Sequence, residues 1–445
     1  MDHDLIVEQL LARCKGFIET ILQASDLHCV ATASLAIFEQ IRPVAREVLQ
    51  AKITVEAQQL KGTDVTPCCE HASVRYVHTR LVSPQTLCGE VCIPVRTFPC
   101  GGCGASLRPD DHHLGVPEVG DFTDDVRALY APVVAELPHR VANDLLQRCT
   151  GVALSSRGAQ GLLDSTAQDL QRWQAECERQ EAAGGVDALA AGDEAADLRV
   201  EVAMDGVMAH IDGRWQEAKV ATILMRRLEA QVEEPTRGAV LARRYVAILG
   251  SAEELATRIT QGIREAGWER LPIGEILGDG APWIWNVAGA HFPGVRQTLD
   301  YYHLSEHLHA FATLQYPNNP AGAKAWVEQK LGALLTDRVG TVLSARKRMR
   351  PWKTAGRDAL AQLIGYVQRN RTRIRYQESW YSGLAVGSGA VEGACKHVIQ
   401  SRFKRAGMRW KPPGFLHVLA LRRARLNGTF QAFWASRGLV IQTSV

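Results

Sequence analysis

Apolar and polar residues alternate in different rhythms along the chain, and each rhythm predicts a different architecture. Over residues 1–60, Leu5, Leu10, Leu11 and Ile18 recur at roughly helical spacing among Ala, Leu, Gln and Glu, which predicts helices. Between about 66 and 110 the texture changes. Cys, Gly and Pro mark turns there, and VRYVHTRLV and GEVCIPVRTF read as short strands. Helical spacing returns over 117–182, with starts predicted near Asp121-Phe122-Thr123 and at Ser155-Ser156. The run EAAGGVDALAAGDEAAD is rich in Ala, Gly and acids and poor in large apolar groups, so it reads as a linker.

From 199 to 316 strand-like runs appear in order: LRVEVAMDGVMAHI, EAKVATILMRR and ARRYVAILG. A helix over about 252–266 follows, then a strand ending in EILGDG, a helix in PWIWNVAGAHF, a short strand in VRQTLD and a helix beginning near His303. Three successive strands followed by alternating helices and strands predict a mixed α/β unit, the order expected of a ribonuclease H-like sheet. Residues 310–380 read as helical and very basic, interrupted at Gln315-Tyr316-Pro317-Asn318-Asn319-Pro320, and helical patterns resume from about 389 to 436. No internal repeat is visible.

A length of 445 residues predicts two to four domains, and 46% hydrophobic with 22% charged residues fits well-filled soluble cores. No apolar run is long enough to cross a bilayer, and the N-terminus does not read as a secretory signal, so a cytoplasmic, reducing location is expected. The net charge of +3 hides an uneven distribution. Basic groups gather at Arg346, Lys347, Arg348, Arg350, Lys353 and Arg357, at Arg369, Arg371, Arg373 and Arg375, and from Lys396 through Arg402, Lys404, Arg405, Arg409 and Lys411 to Arg425. Any one cluster can be a solvated helix face. Three together point to a nucleic-acid phosphate backbone.

Eleven cysteines without a secretion signal argue against a disulfide framework. Cys14, Cys29, Cys149, Cys177 and Cys395 stand alone in helix-like segments and read as small buried apolar residues. Cys100-Gly-Gly-Cys103-Gly is different. Two thiolates three positions apart can meet one tetrahedral ion, and the glycines let the backbone turn around it. Cys68 and His71 offer a second pair at the same spacing, so Cys68, His71, Cys100 and Cys103 are the expected ligands of a structural Zn²⁺. Cys69 in place of Cys68 is an alternative. So is a metal-free arrangement with Cys69, Cys88 and Cys92 in the core.

Four carboxylates carry candidate chemistry. Asp205 lies within an apolar strand, where a carboxylate is costly unless paired or metal-bound. Asp279 follows an apolar strand directly, where α/β sheets present ligands. Asp300 ends the next strand and His303 follows it, whereas Glu392 sits one turn into a helix opened by Gly-Ser-Gly. Each has a plain alternative: a turn aspartate, a D-G turn, a helix cap, a helix-start glutamate. Carboxylates converging on divalent ions about 3.5–4 Å apart suit phosphodiester displacement, and hard oxygen ligands select Mg²⁺ or Mn²⁺.

VAMDG, ILGDGAPWIW, LDYYHLSEHL and GSGAVEGACKHVIQSRFKRAGMRW together resemble the successive motifs of DDE transposases from bacterial insertion sequences. The likeness is to the Kra-type group, related to the Mutator-like and hAT-like transposases. CGGCGASLRPDDHHLG and TGVALSS extend it over roughly 60–430. The resemblance implies that Asp205, Asp279 and Glu392 hold two Mg²⁺ (or Mn²⁺), with Asp300 and His303 as a supporting D-x-x-H signature. Glu306 is the rival third acid. The first knuckle departs from the family's C-x-x-C, with His71 at the last position. Implied partners are double-stranded DNA, as terminal inverted repeats and target, and further copies of the chain in a synaptic complex. Lys396, Arg402, Lys404, Arg405, Arg409 and Trp410 would contact that DNA, with the protein nucleoid-associated when bound.

The expected organisation is a helical region (1–60), a zinc-ribbon-like region (61–115), a helical DNA-binding region (116–182) and a linker (183–198). A ribonuclease H-like core follows in two parts (199–305 and 386–445), around an all-helical insertion (306–385). Alternatives are a domesticated, non-catalytic DNA-binding regulator and a ribonuclease H-like nuclease.

Overall fold

A computed structural model describes residues 3–23, 29–61, 65–70, 72–117, 121–184, 196–228, 239–349 and 354–439. The fold is mixed α/β and mostly helical. Contacts divide it into two units, residues 1–173 with 430–445, and residues 174–429. Among the described residues no helix is long and apolar enough to cross a membrane.

The first unit opens with two long helices, α1 (His3–Gln23) and α2 (Val30–Leu60). Short strands follow: β1 (His78–Val82), β2 (Gln85–Thr86), β3 (Gly89–Glu90), β4 (Ile93–Pro99) and β5 (Ser106–Leu107). They form a three-stranded sheet, β1-β4-β5, and a small hairpin, β2-β3. Ile93 and Val95 of β4 pack with Ile53 of α2, Val91 and Val116. Helices α3 (Pro109–His113), α4 (Asp124–Glu136), α5 (His139–Thr150) and α6 (Ser156–Gly184) complete its ordered run. Buried Arg127 of α4 is satisfied by Asp124 at 2.7 Å, Asp169 at 2.5 Å and the Thr166 hydroxyl at 3.1 Å.

The second unit is built on a five-stranded sheet in the order β10-β9-β6-β7-β8. Its strands are β6 (Leu198–Ile211), β7 (Arg214–Arg227), β8 (Ala239–Ile248), β9 (Ile273–Gly278) and β10 (Arg296–Leu299). The strands β6, β7 and β8 form an antiparallel meander, whereas β9 and β10 run parallel to β6. The β6–β7 hairpin turns on Asp212-Gly213, both at positive φ (52° and 78°), the conformation a two-residue hairpin requires. That turn fixes which residues of β6 share a face. Val200, Val202 and Met204 enter one continuous apolar core with α7 (Ala252–Glu265), α8 (Pro282–His291) and α9 (Tyr301–Gln315). Glu201, Ala203 and Asp205 therefore face the other way.

The helices α10 (Pro320–Leu334), α11 (Gly340–Leu343), α12 (Ala345–Arg348) and α13 (Thr354–Arg369) come next, then α14 (Tyr376–Tyr381). Val327, Leu334, Val342, Leu363 and Val367 belong to the same core as the sheet, so the segment expected as an insertion shares one interior with it. The opposite sheet face is covered by α15 (Gly389–Ala394), a π-helical turn (Cys395–Gln400), α16 (Ser401–Phe403) and α17 (Pro412–Leu426). Thr222 of β7 donates to the Ala390 carbonyl at 3.4 Å, and Asn427 bonds both backbone groups of Tyr245 in β8. The order of elements across 198–315 follows the sequence expectation.

Helix α18 (Thr429–Ser436) departs from it. Residues 430–439, expected with the core, group with the first unit. Phe433 and Trp434 are buried, Phe433 lies 5.7 Å from the Trp173 ring, and Arg437 pairs with Asp124 at 2.5 Å. Most of the expected linker lies outside the described residues.

Candidate functional site

Strand register brings the aspartates together. Met204 of β6 pairs with Gly278 of β9, and Gly278 pairs with Leu299 of β10. Asp205, Asp279 and Asp300 are the next residues on three adjacent strands. Parallel strands make this possible, because residues that follow matched positions emerge at the same sheet edge.

Asp205 is mostly buried. Its Oδ1 accepts the Gly206 N–H at 2.6 Å and its Oδ2 lies 3.4 Å from the Cys395 thiol. Burial pushes its pKa up, and the negative charge of Asp279 adds to the rise, so the two carboxyls sense one another. Asp279 uses Oδ1 to accept the Ala281 N–H at 2.9 Å, so the D-G turn reading is correct for one oxygen. Its carbonyl accepts the Tyr366 hydroxyl at 2.5 Å. Gly280 sits at φ +100°, and a Cβ there would meet the Tyr366 ring at 2.8 Å, so only glycine fits this turn.

Asp300 is committed to structure. Its Oδ1 caps α9 through the Tyr302 N–H at 2.7 Å, and its Oδ2 accepts the Ser388 hydroxyl. Gly387 packs so closely that a Cβ would meet the Tyr302 ring at 2.4 Å. The Gly-Ser-Gly thus docks the start of α15 onto the cap of α9.

Glu392 rises from that docked helix. Its side chain is 59% exposed and pairs with Lys396 at 2.5 Å. One turn on, buried Cys395 lies against Asp205. Its thiol pKa is raised first by burial, then by the charges of Asp205, Glu392 and Asp279. Cys395 thus contacts Asp205 directly and senses the charges of Glu392 and Asp279. The sequence reading treats it as a small apolar filler; its contact with Asp205 has no local signal, since the two are 190 positions apart. Of the other cysteines given that reading, Cys29 and Cys149 are exposed and Cys14 and Cys177 half-buried.

Helices α9 and α13 close another side. His303 lies 3.5 Å from Glu306, and its ring meets that of His307 edge-on at 4.9 Å. His307 stacks at 4.3 Å on Tyr366. Burial lowers the His307 pKa and raises that of Tyr366, whose rise Asp279 and Asp300 reinforce. Sequence reasoning named neither residue, although His303 and His307 show the one-turn spacing of a shared helix face.

Beneath the aspartates lies a buried polar layer. Glu201 is bonded by Arg226 at 2.9 Å, and Glu275, directly across from Glu201, accepts the Thr298 hydroxyl at 2.7 Å. Burial, with the Glu201 charge, raises the Glu275 pKa well above its ordinary value. The layer shares a sheet face with Asp205 and Asp279, four residues or about 13 Å along the strands.

The basic residues expected to contact DNA divide into two sets. Lys396, Lys404, Arg405 and Arg409 are exposed. Arg402 is buried and Trp410 half-buried, so these two are less open to a partner than the other four. Arg402 is 1% exposed and lies 4.9 Å from the Trp410 ring centroid. Trp410 donates its indole N–H to the Phe403 carbonyl at 3.1 Å and packs on that ring. Trp285 is likewise buried. Fully buried Arg422 bonds the Val398 carbonyl at 2.9 Å and the Ser401 hydroxyl at 2.8 Å, bracing the π-helical turn after Glu392.

In the first unit, Cys68, Cys69, Cys100 and Cys103 bring their sulfurs within 4.8 Å of one another, a set that could hold a metal such as zinc. Cys69 joins Cys68 here rather than replacing it, and His71 lies outside the described residues. The two knuckles interlock closely. A Cβ on Gly102 would meet Cys69 at 2.9 Å, and Gly101 donates its N–H to the Ser73 carbonyl at 2.8 Å. The backbone N–H groups of Cys103 and Gly102 lower the Cys100 pKa to about 6, whereas the neighbouring Cys103 and Cys100 thiols push Cys68 up to about 12. One thiolate is thus favoured before any ion arrives. Four thiols complete a tetrahedron and leave no open position, so the cluster suits a structural ion.

No protein-family model matches this chain, and no curated protein is similar to it.

Proposed function

We propose that the chain is a DNA transposase of the DDE type, with residues 199–305 and 386–429 as a ribonuclease H-like catalytic core. The observation that supports this most is the side-by-side emergence of Asp205 and Asp279 from adjacent parallel strands, with the Glu392 helix held to Asp205 through Cys395. The motif resemblance supplies the reaction class.

In this reading Asp205, Asp279 and Glu392 hold two divalent cations, Mg²⁺ or Mn²⁺, whose hard oxygen preference their carboxylates meet. Bound there, two such ions would supply activation of a water or a 3′-hydroxyl and stabilisation of the leaving oxygen in phosphodiester displacement. The protein's own work is positional. Asp300 and Ser388 fix the start of α15, and Cys395 sets its distance from β6. Glu392 pairs with Lys396 here; with an ion held by Glu392, the Lys396 ammonium would be available to phosphates together with Lys404, Arg405 and Arg409. His303 supports DNA handling beside the acids. The first unit, stiffened by a structural Zn²⁺, reads the terminal inverted repeats, and further copies of the chain assemble the two ends.

The test is cleavage and strand transfer with Mg²⁺ on the DNA flanking the gene. Wild type is expected to give joined products, and Asp279→Asn to lower the rate at least about 10³-fold. Equal activity of the two sinks the assignment. Cleavage without joining points to a nuclease, and binding without cleavage to a regulator. Retained strand transfer in Glu392→Gln, with loss in Glu306→Gln, transfers the third position to α9.

A further inference from the structure

Arginine recurs at every second position in Arg369-Asn-Arg371-Thr-Arg373-Ile-Arg375-Tyr. The chain here leaves α13 through a 3₁₀ turn (Arg371–Arg373) and passes through Ile374 and Arg375 into α14. Ile374 and Tyr376 are buried in the core, whereas Arg375 is exposed. Arg373 is half-buried, with its guanidinium 4.5 Å from the Trp285 ring centroid. Its Nε donates to Gln297 at 2.8 Å and its other contacts are neutral oxygens of Arg369 and Asn370. Among the described residues no carboxylate pairs with it, and burial alone lowers its pKa.

Arg296, at the start of β10, and Arg375 approach the same space, and both pair with Glu378. Two guanidinium groups thus share one carboxylate, and that of Arg373 has none among the described residues. Together with Gly294, Gln297 and Thr372 they line a pocket of about 320 Å³. A half-buried cation without a counter-charge is costly, and here Arg373 has no carboxylate partner among the described residues while Arg296 and Arg375 share one, so the pocket is complementary to an anion. Guanidinium forks match the oxygens of a phosphate, and the volume exceeds that of the phosphate alone.

We propose that the Arg296–Arg373–Arg375 pocket binds the phosphate of a nucleotide, either in a DNA backbone or free. It lies at the start of β10, whose other end leads to Asp300, about 13 Å along the strand. The inference does not depend on the transposase reading.

The full chain is titrated in magnesium-free buffer, so that the carboxylates take no part. A labelled duplex is bound over a range of salt, and inorganic phosphate and AMP are titrated by calorimetry. Arg373→Gln is expected to weaken the duplex about tenfold and to lower the log–log salt slope by about one. Arg375→Gln lowers the slope equally, and its exposed position keeps the test valid if Arg373→Gln disturbs the packing on Trp285. Loss of AMP or phosphate binding in both variants, with duplex binding unchanged, assigns the pocket to a free phosphate compound. Wild-type values for all three ligands in both variants overturn the proposal. Failed strand transfer by wild type leaves these readouts unchanged, so the two ideas fail separately.

Discussion

The cysteine cluster, which could hold a metal, and the carboxylates proposed as a catalytic site are assembled in opposite ways. The cysteines come from two tight turns within residues 68–103, and close glycine contacts interlock those turns. The carboxylates come from β6, the end of β9 and α15, and require the whole sheet and the helices over it. Four thiolates can complete a tetrahedron by themselves, whereas Asp279 accepts the Ala281 N–H through one oxygen only and Glu392 is exposed. A local, closed set suits stability. A distributed, open set can exchange ligands with water and substrate.

This contrast predicts effects that do not cross between units. The largest is on the cysteines. Cys103→Ser removes one exposed ligand without disturbing a core, and bound zinc should fall from one per chain to nearly none. The apparent binding energy lost is of the order of 10 kcal/mol for structural zinc, so residues 66–107 should become sensitive to protease. Metal analysis with limited proteolysis checks this. Unchanged zinc content would break the comparison at its simpler end.

A smaller effect belongs to Asp205. Burial, and then the Asp279 charge, raises its pKa. A carboxyl whose folded pKa lies above its unfolded value takes up protons first in the folded state. The metal-free fold should therefore gain stability as pH falls through that raised pKa. The gain ends once the unfolded chain is also protonated, at about pH 3.9. Asp205→Asn should remove this dependence and melt higher than wild type at pH 7 without divalent ions. Added Mn²⁺ should reverse the order, because only wild type gains from binding. Melting curves at pH 5 and 7 that are parallel for both proteins would show that Asp205 pays no cost of burial.

The sequence makes the two regions legible to different degrees. Alternation in LRVEVAMDGVMAHI and the apolar runs after it place β6 to β10 and α7 to α9, since strand and helix periods are local properties. Asp205 and Asp279 stand out because a carboxylate in or just after an apolar strand contradicts its surroundings. Cys395, Tyr366 and the Glu201–Glu275 layer were not legible, because their significance lies in contacts made across the sheet. Arg402 and Trp410 stand in a basic, aromatic run that reads as a DNA contact, and their packing on one another has no local signal. Sequence spacing offers Cys69 as a substitute for Cys68, and the fold of the turn brings both thiols to the cluster.

Manganese binding to the zinc-loaded protein tests the carboxylate cluster most directly. Titration followed by electron paramagnetic resonance should show Mn²⁺ bound by wild type. The affinity should fall about 10–100-fold or more in Asp279→Asn while zinc content stays constant. Equal Mn²⁺ affinity in wild type and Asp279→Asn would contradict the account.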